Sequence, residues 1–177
     1  MKIFKKVVSG VGLSVLALTL TASVALAQSN VDLQQVTTQA QHTVVDSDGK
    51  VYRYVDKLEA DRHIQAIIAT HKDELKPLEG NYHATIWEHA YYQGSYIDIG
   101  SRGGNTNVYS FSDTWNDKIS SLKAPYLGNG LQVFEHANFY GASLYIAPGG
   151  AADYLANYPL RAGVSWNDQI SSMKIYH

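Results

Sequence analysis

Two short stretches concentrate the residues able to do chemistry: Asn116-Asp117-Lys118-Ile119-Ser120-Ser121 and Asn167-Asp168-Gln169-Ile170-Ser171-Ser172. Each offers a carboxylate, an amide and hydroxyls, and the chain contains no cysteine, so the available donors are hard oxygens. Calcium takes about six to eight such oxygens, backbone carbonyls and water included, at roughly 2.3–2.6 Å. Met once, the pattern is an Asx or Ser/Thr turn that satisfies its own loop backbone. Met twice, in matched surroundings, it favours a cation-binding loop.

The surroundings do match. Trp115–Lys123 and Trp166–Lys174 agree at seven of nine positions. Upstream of them lie Trp87-Glu-His-Ala-Tyr-Tyr92-Gln-Gly94 and Phe134-Glu-His-Ala-Asn-Phe139-Tyr-Gly141, each an aromatic, a second aromatic five residues on, and a glycine two further. Glycine adopts backbone shapes closed to other residues and leaves room for rings to pack over bare backbone, which a folded-over hairpin needs. The chain is a tandem repeat. The copies are offset by 47 residues at the first motif and 51 at the second, so four extra residues fall within Pro148 to Gly163.

The loops must be positioned by strands. From Asn81 onward, short alternating runs are separated by glycine-rich turns: 84–87, 95–99, 131–134, 143–146 and 171–176, with the polar loops running into strands at Ile119 and Ile170. This is the texture of a β-sandwich.

Together the two motif pairs resemble those of the βγ-crystallin superfamily, in which aromatic-x4-aromatic-x-Gly marks the first hairpin of a Greek key and Asn/Asp-Asn/Asp-x-x-Ser/Thr-Ser is the calcium signature. The resemblance covers residues 81–177 and implies an all-β domain, two tandem Greek-key motifs (81–127 and 128–177) forming one sandwich. It further implies two calcium sites. The ligands would be a loop carbonyl of Glu88 or Glu135, a backbone carbonyl of Lys118 or Gln169, and the hydroxyl of Ser120 or Ser171. Asp117 and Asp168 would ligate directly or through water, and Asn116 and Asn167 would shape the loops. In the family the ions draw ligands from both motifs and tie the Greek keys together. His89 and His136, at equivalent positions, are what duplication leaves behind, since calcium prefers oxygen to imidazole.

Ahead of the repeats, Lys2, Lys5 and Lys6 precede an apolar run and Ala25-Leu26-Ala27, the pattern of a cleaved export signal over residues 1–27. No membrane span is expected in the mature chain, and the expected location is the extracellular medium or cell envelope. Residues 28–42 are polar and aperiodic, a spacer. Residues 43–79 are expected to form a ββα appendage: a hairpin turning at Asp46–Lys50, where Asp46 and Asp48 form a turn and not an EF-hand, then a helix over Leu58–Leu75 closed by Pro77. Its apolar face is expected to contain Leu58, Ile64, Ile67, Ile68 and Leu75, with His63 and His71 facing solvent. Such a unit is too small to bury a core alone and should dock on something.

Without its three leader lysines the chain carries 11 basic against 16 acidic residues, a net charge near −5, which argues against a nucleic-acid partner. An exported chain without cysteine must be held by its core, by ions or by both. Gly103-Gly104 and Gly149-Gly150 lack the setting of a phosphate loop, and no nucleophile elbow or His-Glu-x-x-His motif occurs, so catalysis is not expected. The function expected is calcium binding that stabilises an exported domain. The alternatives are a secreted peptidase inhibitor, which some bacterial relatives of this fold are, and a carbohydrate-binding or adhesion module presenting Tyr91, Tyr140, Tyr154 and Tyr158.

Overall fold

The structure, a computed structural model, describes residues 42–71, 82–100 and 104–177. The expected leader, the spacer up to residue 41, Leu75, Pro77 and Gly103 lie outside these residues. Among the described residues no helix is long and apolar enough to cross a membrane.

Each repeat supplies four strands. The first gives β3 (Ala84–His89), β4 (Gln93–Ile99), β5 (Thr106–Val108) and β6 (Ser121–Lys123). The second gives β7 (Leu131–Phe134), β8 (Ser143–Ile146), β9 (Ala151–Ala152) and β12 (Ser172–Ile175), with a small hairpin, β10 (Pro159–Arg161) and β11 (Val164–Ser165), in the region of the four extra residues. One sheet has the order β4-β3-β6-β9 and the other contains β8-β7-β12-β5. The third strand of each repeat has therefore crossed into the other repeat's sheet: Val108 of β5 stands opposite Met173 of β12, and Ala152 of β9 opposite Leu122 of β6. This is a sandwich of two interlocked Greek keys. The two copies share one core, in which Ile86, Ile119, Leu122, Leu131, Leu144, Trp166, Ile170 and Met173 are fully buried. β6 and β12 begin at Ser121 and Ser172, two residues later than expected. Asp117 and Asp168 take left-handed backbone (φ 55° at each), and the Ile119 and Ile170 carbonyls accept from the N–H of Asp168 and Asp117 in the opposite loop instead of from a neighbouring strand.

The ββα unit docks on this sandwich. β1 (His42–Val45) pairs antiparallel with β2 (Val51–Tyr54) and parallel with β8, extending the second sheet to the order β2-β1-β8-β7-β12-β5. The turn between β1 and β2 is an Asx turn: Asp46 Oδ1 accepts from the backbone N–H of Asp48 (3.0 Å) and Lys50 (2.9 Å). α1 (Lys57–His71) starts where Asp56 Oδ1 accepts the N–H of Leu58 at 2.7 Å. Its buried face is Ala60, Ile64, Ile67 and Ile68, packed on Val44, Tyr145 and Ala147. Leu58, expected on that face, is instead 56% exposed, and Ala60 takes its place one turn before Ile64. His63 is half-buried and engaged on the protein side: Tyr54 Oη and His63 Nδ1 are 2.9 Å apart, and the Tyr52 ring meets the imidazole edge-on. The strand alternation explains the docking, because Leu144 and Ile146 of β8 point into the sandwich while Tyr145 points out and needs cover.

Candidate metal centre

The two polar loops meet across the approximate twofold relating the repeats. Ser120 Oγ donates to Asp168 Oδ1 at 3.1 Å, and Ser171 Oγ to Asp117 Oδ1 at 3.3 Å. The backbone repeats the exchange, the N–H of Asp117 donating to Ile170 O (3.2 Å) and that of Asp168 to Ile119 O (3.1 Å). Each cluster thus takes its hydroxyl from one copy and its carboxylate from the other. The second carboxylate oxygen is held locally: Asn116 Nδ2 donates to Asp117 Oδ2 and Asn167 Nδ2 to Asp168 Oδ2, both at 2.7 Å.

The remaining expected ligands fall around these pairs. The N–H of Ser120 donates to Trp87 O and that of Ser171 to Phe134 O, each at 3.0 Å, so Glu88 and Glu135 follow the anchored residue in each strand. Lys118 is exposed and Gln169 half-buried, directly after the left-handed aspartates. Gln169 Nε2 donates to Asp168 O at 2.6 Å. The Glu135 side chain is engaged elsewhere: it is buried, accepts from Arg161 Nη1 and takes the N–H of Ala142 at 3.4 Å.

Three observations bear on whether these residues fit a cation. Asp117 and Asp168 receive hydrogen bonds from neutral groups, while the ion pairs among the described residues join Lys57 to Asp61 and Arg161 to Glu135. The Asn167 side-chain amide oxygen (Oδ1) is buried without a hydrogen-bond partner, an acceptor whose desolvation nothing offsets. No group of three or more His, Asp or Glu among the described residues is arranged around a metal, so each centre would be built from one carboxylate with hydroxyl, amide and carbonyl oxygens. That set fits calcium and suits transition metals poorly.

The second serine of each motif does something the sequence did not separate from the first. Ser121 Oγ donates to His89 O (2.7 Å) and accepts the N–H of Tyr92 (3.1 Å); Ser172 Oγ does the same with His136 O (2.6 Å) and Phe139 N–H (3.1 Å). These bonds clamp folded turns in which Tyr91 and Tyr92, and likewise Asn138 and Phe139, have φ of 57–66°. Two consecutive side-chain-bearing residues there are strained and need such a clamp. The glycine of each motif is required because a Cβ on Gly94 or Gly141 would lie 2.8 or 2.9 Å from the imidazole of His89 or His136. Those histidines are therefore packing residues of the hairpins. The paired aromatics meet each other instead, steeply inclined, Trp87 with Tyr92 (centres 5.0 Å apart, planes at 61°) and Phe134 with Phe139 (5.4 Å, 60°).

The strand exchange, the paired folded hairpins and the reciprocal Asp–Ser loops define a double Greek-key domain of βγ-crystallin type. Solved structures similar to the chain are of that kind. A domain from work on the evolution of the eye-lens βγ-crystallin fold is 22% identical, with a TM-score of 0.46 over 58% of this chain and 94% of its own. An archaeal βγ-crystallin is 24% identical (TM-score 0.42; 55% and 99%). A double mutant of a Clostridium beijerinckii βγ-crystallin domain is 28% identical (TM-score 0.36; 53% and 96%). No protein-family model and no curated protein matches the chain. The fold rests on the strand order itself.

Proposed function

We propose that the domain binds two calcium ions, one at each Asp–Ser pair, and that it works as an exported calcium-stabilised module and not as an enzyme. The observation that carries this reading is the reciprocal pairing of Ser120 with Asp168 and Ser171 with Asp117. An ion at either pair bridges the two repeats, so its binding energy opposes their separation. One cluster would draw on Ser120, Asp168 and Asn167 with Glu88 adjacent, the other on Ser171, Asp117 and Asn116 with Glu135 adjacent. Lys118 and Gln169 would contribute main-chain carbonyls.

One carboxylate per site places the affinity at the weaker end of biological calcium sites, about 10⁻⁶–10⁻³ M, which suits a medium rich in calcium. At free calcium about 100-fold above Kd, each site adds about 2.7 kcal/mol of stability. Isothermal titration of the chain with calcium after chelator treatment is expected to show about two ions bound. An absence of heat and of any melting shift up to about 10 mM calcium, beyond that affinity range, would leave the loops as turns and sink the reading.

A further inference from the structure

Because the repeats are near copies, the outer faces of their sheets are natural controls for each other. On the first, the Lys123 ammonium lies 4.2 Å from the Tyr92 ring centre; on the second, Lys174 lies 4.3 Å from that of Phe139. The likeness stops there. Thr85, Tyr96 and Asp98 of the first face are replaced by Gln132, Ser143 and Tyr145 in the second. The second face is also walled by α1, and between helix, sheet and the folded turn at Ala137–Phe139 lies a cleft of about 500 Å³. Small-ligand sites span about 300–1,000 Å³.

The floor of this cleft is fixed by a chain of hydrogen bonds. Tyr176 Oη donates to Gln132 Oε1 (2.7 Å), Gln132 Nε2 donates to Ser143 Oγ (3.0 Å), and Ser143 Oγ pairs with His42 Nδ1 (3.0 Å). With the floor's polar groups satisfied internally, recognition falls to the rim. There Lys57 is neutralised by Asp61 at 2.6 Å, whereas Lys174 faces a ring and, among the described residues, has no carboxylate within ion-pair distance. Gln65 adds an exposed carboxamide from α1, Asn138 another from the turn, and Tyr140 is 69% exposed beside them.

We propose that this cleft binds an acidic sugar residue of an anionic glycan, its carboxylate on Lys174, its hydroxyls on Gln65 and Asn138, and its C–H face against Tyr140. Carboxamides both donate and accept, as sugar hydroxyls do, and an aromatic face packs on a pyranose ring without needing a charge. A single unpaired ammonium fits a monoanionic carboxylate. Among the described residues lining the cleft a phosphate dianion would find no second free cation and would sit near Asp61. The proposal does not depend on the calcium sites, which lie in the loops between the repeats.

The test is calorimetric titration of the full chain, in chelator because uronates themselves take up calcium, with a galacturonic-acid trimer and with its methyl ester. The acid is expected to bind saturably and the ester about tenfold or more weaker. Lys174→Gln and Gln65→Leu should each weaken the acid by about tenfold, while Lys123→Gln, the same change on the other face, leaves it unchanged. Gln65 is an exposed helix residue, so Gln65→Leu keeps the test sound if Lys174→Gln lowers the melting temperature. No saturable binding, equal binding of acid and ester, or equal losses from Lys123→Gln and Lys174→Gln would overturn the proposal.

Discussion

Ser120 and Asp168 are 48 residues apart in sequence and 3.1 Å apart in space, hydroxyl to carboxylate. The partner relationship, Ser171 to Asp117 at 3.3 Å, is its image under the duplication. Neither copy can complete a cluster from its own loop. The pairs therefore couple any ligand they hold to the association of the two Greek keys.

Ser120→Arg and Ser171→Arg each replace a hydroxyl with a cation at one pair. Each is expected to remove about one calcium from the titration and about half of the calcium-dependent gain in melting temperature, with the double variant losing both. Trp166 is fully buried and Trp115 half-buried, each one residue before its loop asparagine, so their emission should follow binding. Two calcium ions still bound by the double variant would place the sites elsewhere.

The second serine predicts a different phenotype. Ser172→Ala strips the clamp from His136 O and Phe139 N–H and leaves a strained turn unsupported. A loss of about 1–3 kcal/mol is expected by urea unfolding, with calcium stoichiometry unchanged. Were Ser172→Ala to abolish one ion without loss of apo stability, the two serines would have been assigned in the wrong order.

Arg161 holds the buried carboxylate of Glu135 beside the second hairpin. Arg161→Ala leaves that carboxylate with little more than the long contact from Ala142 N–H. Breaking a fully buried pair costs about 3–5 kcal/mol, but the Arg161 side chain is 34% exposed, so about 1–3 kcal/mol is expected in chemical denaturation. An unchanged denaturation midpoint would mean that Glu135 is solvated in solution.

Acid should weaken the docking of the appendage. Burial holds the His42 imidazole below its ordinary pKa of 6.5, aided by the Lys57 ammonium and opposed by Asp61 and Asp56; burial does the same to His63 against the pull of Asp46. Both rings are neutral when packed, and the undocked chain binds protons more readily. Stability is therefore complete above about pH 6.5 and falls as pH drops from there through the lowered folded values. Amide exchange in β1 and α1 should accelerate between about pH 7 and pH 5, and His42→Gln should reduce that acceleration. A protection pattern independent of pH in this window would show that neither ring titrates at the junction.

Residues 81–177 contain both Greek keys and both Asp–Ser pairs, while β1 extends one sheet edge with Val45 reaching the shared core and α1 covers the outer face of that sheet. The fragment is expected to unfold cooperatively and to respond to calcium, at a lower melting temperature because Tyr145 and Ala147 lose their apolar cover. A fragment with no sharp transition in calcium would make the appendage part of the core.

The sequence determined the duplication, the β texture and the chemistry of the loops, because these are local: residue types at fixed spacing fix which backbone shapes and donor atoms are available. The hairpin turning at Asp46–Lys50 and the strands 131–134 and 143–146 were legible for the same reason, turn residues between alternating apolar positions. What the tertiary structure decided is who meets whom. The strand exchange puts β5 on β12 and β9 on β6, and only that exchange brings Asp117 to Ser171 and Asp168 to Ser120, leaving Ser121 and Ser172 to clamp the hairpins. It also decided that Leu58 is exposed while His63 is packed, and that α1 turns one of two similar sheet faces into a cleft. Spacing along a chain cannot carry such pairings, since contacts between distant segments depend on the apolar faces that must be buried together, and those are properties of the assembled sheets.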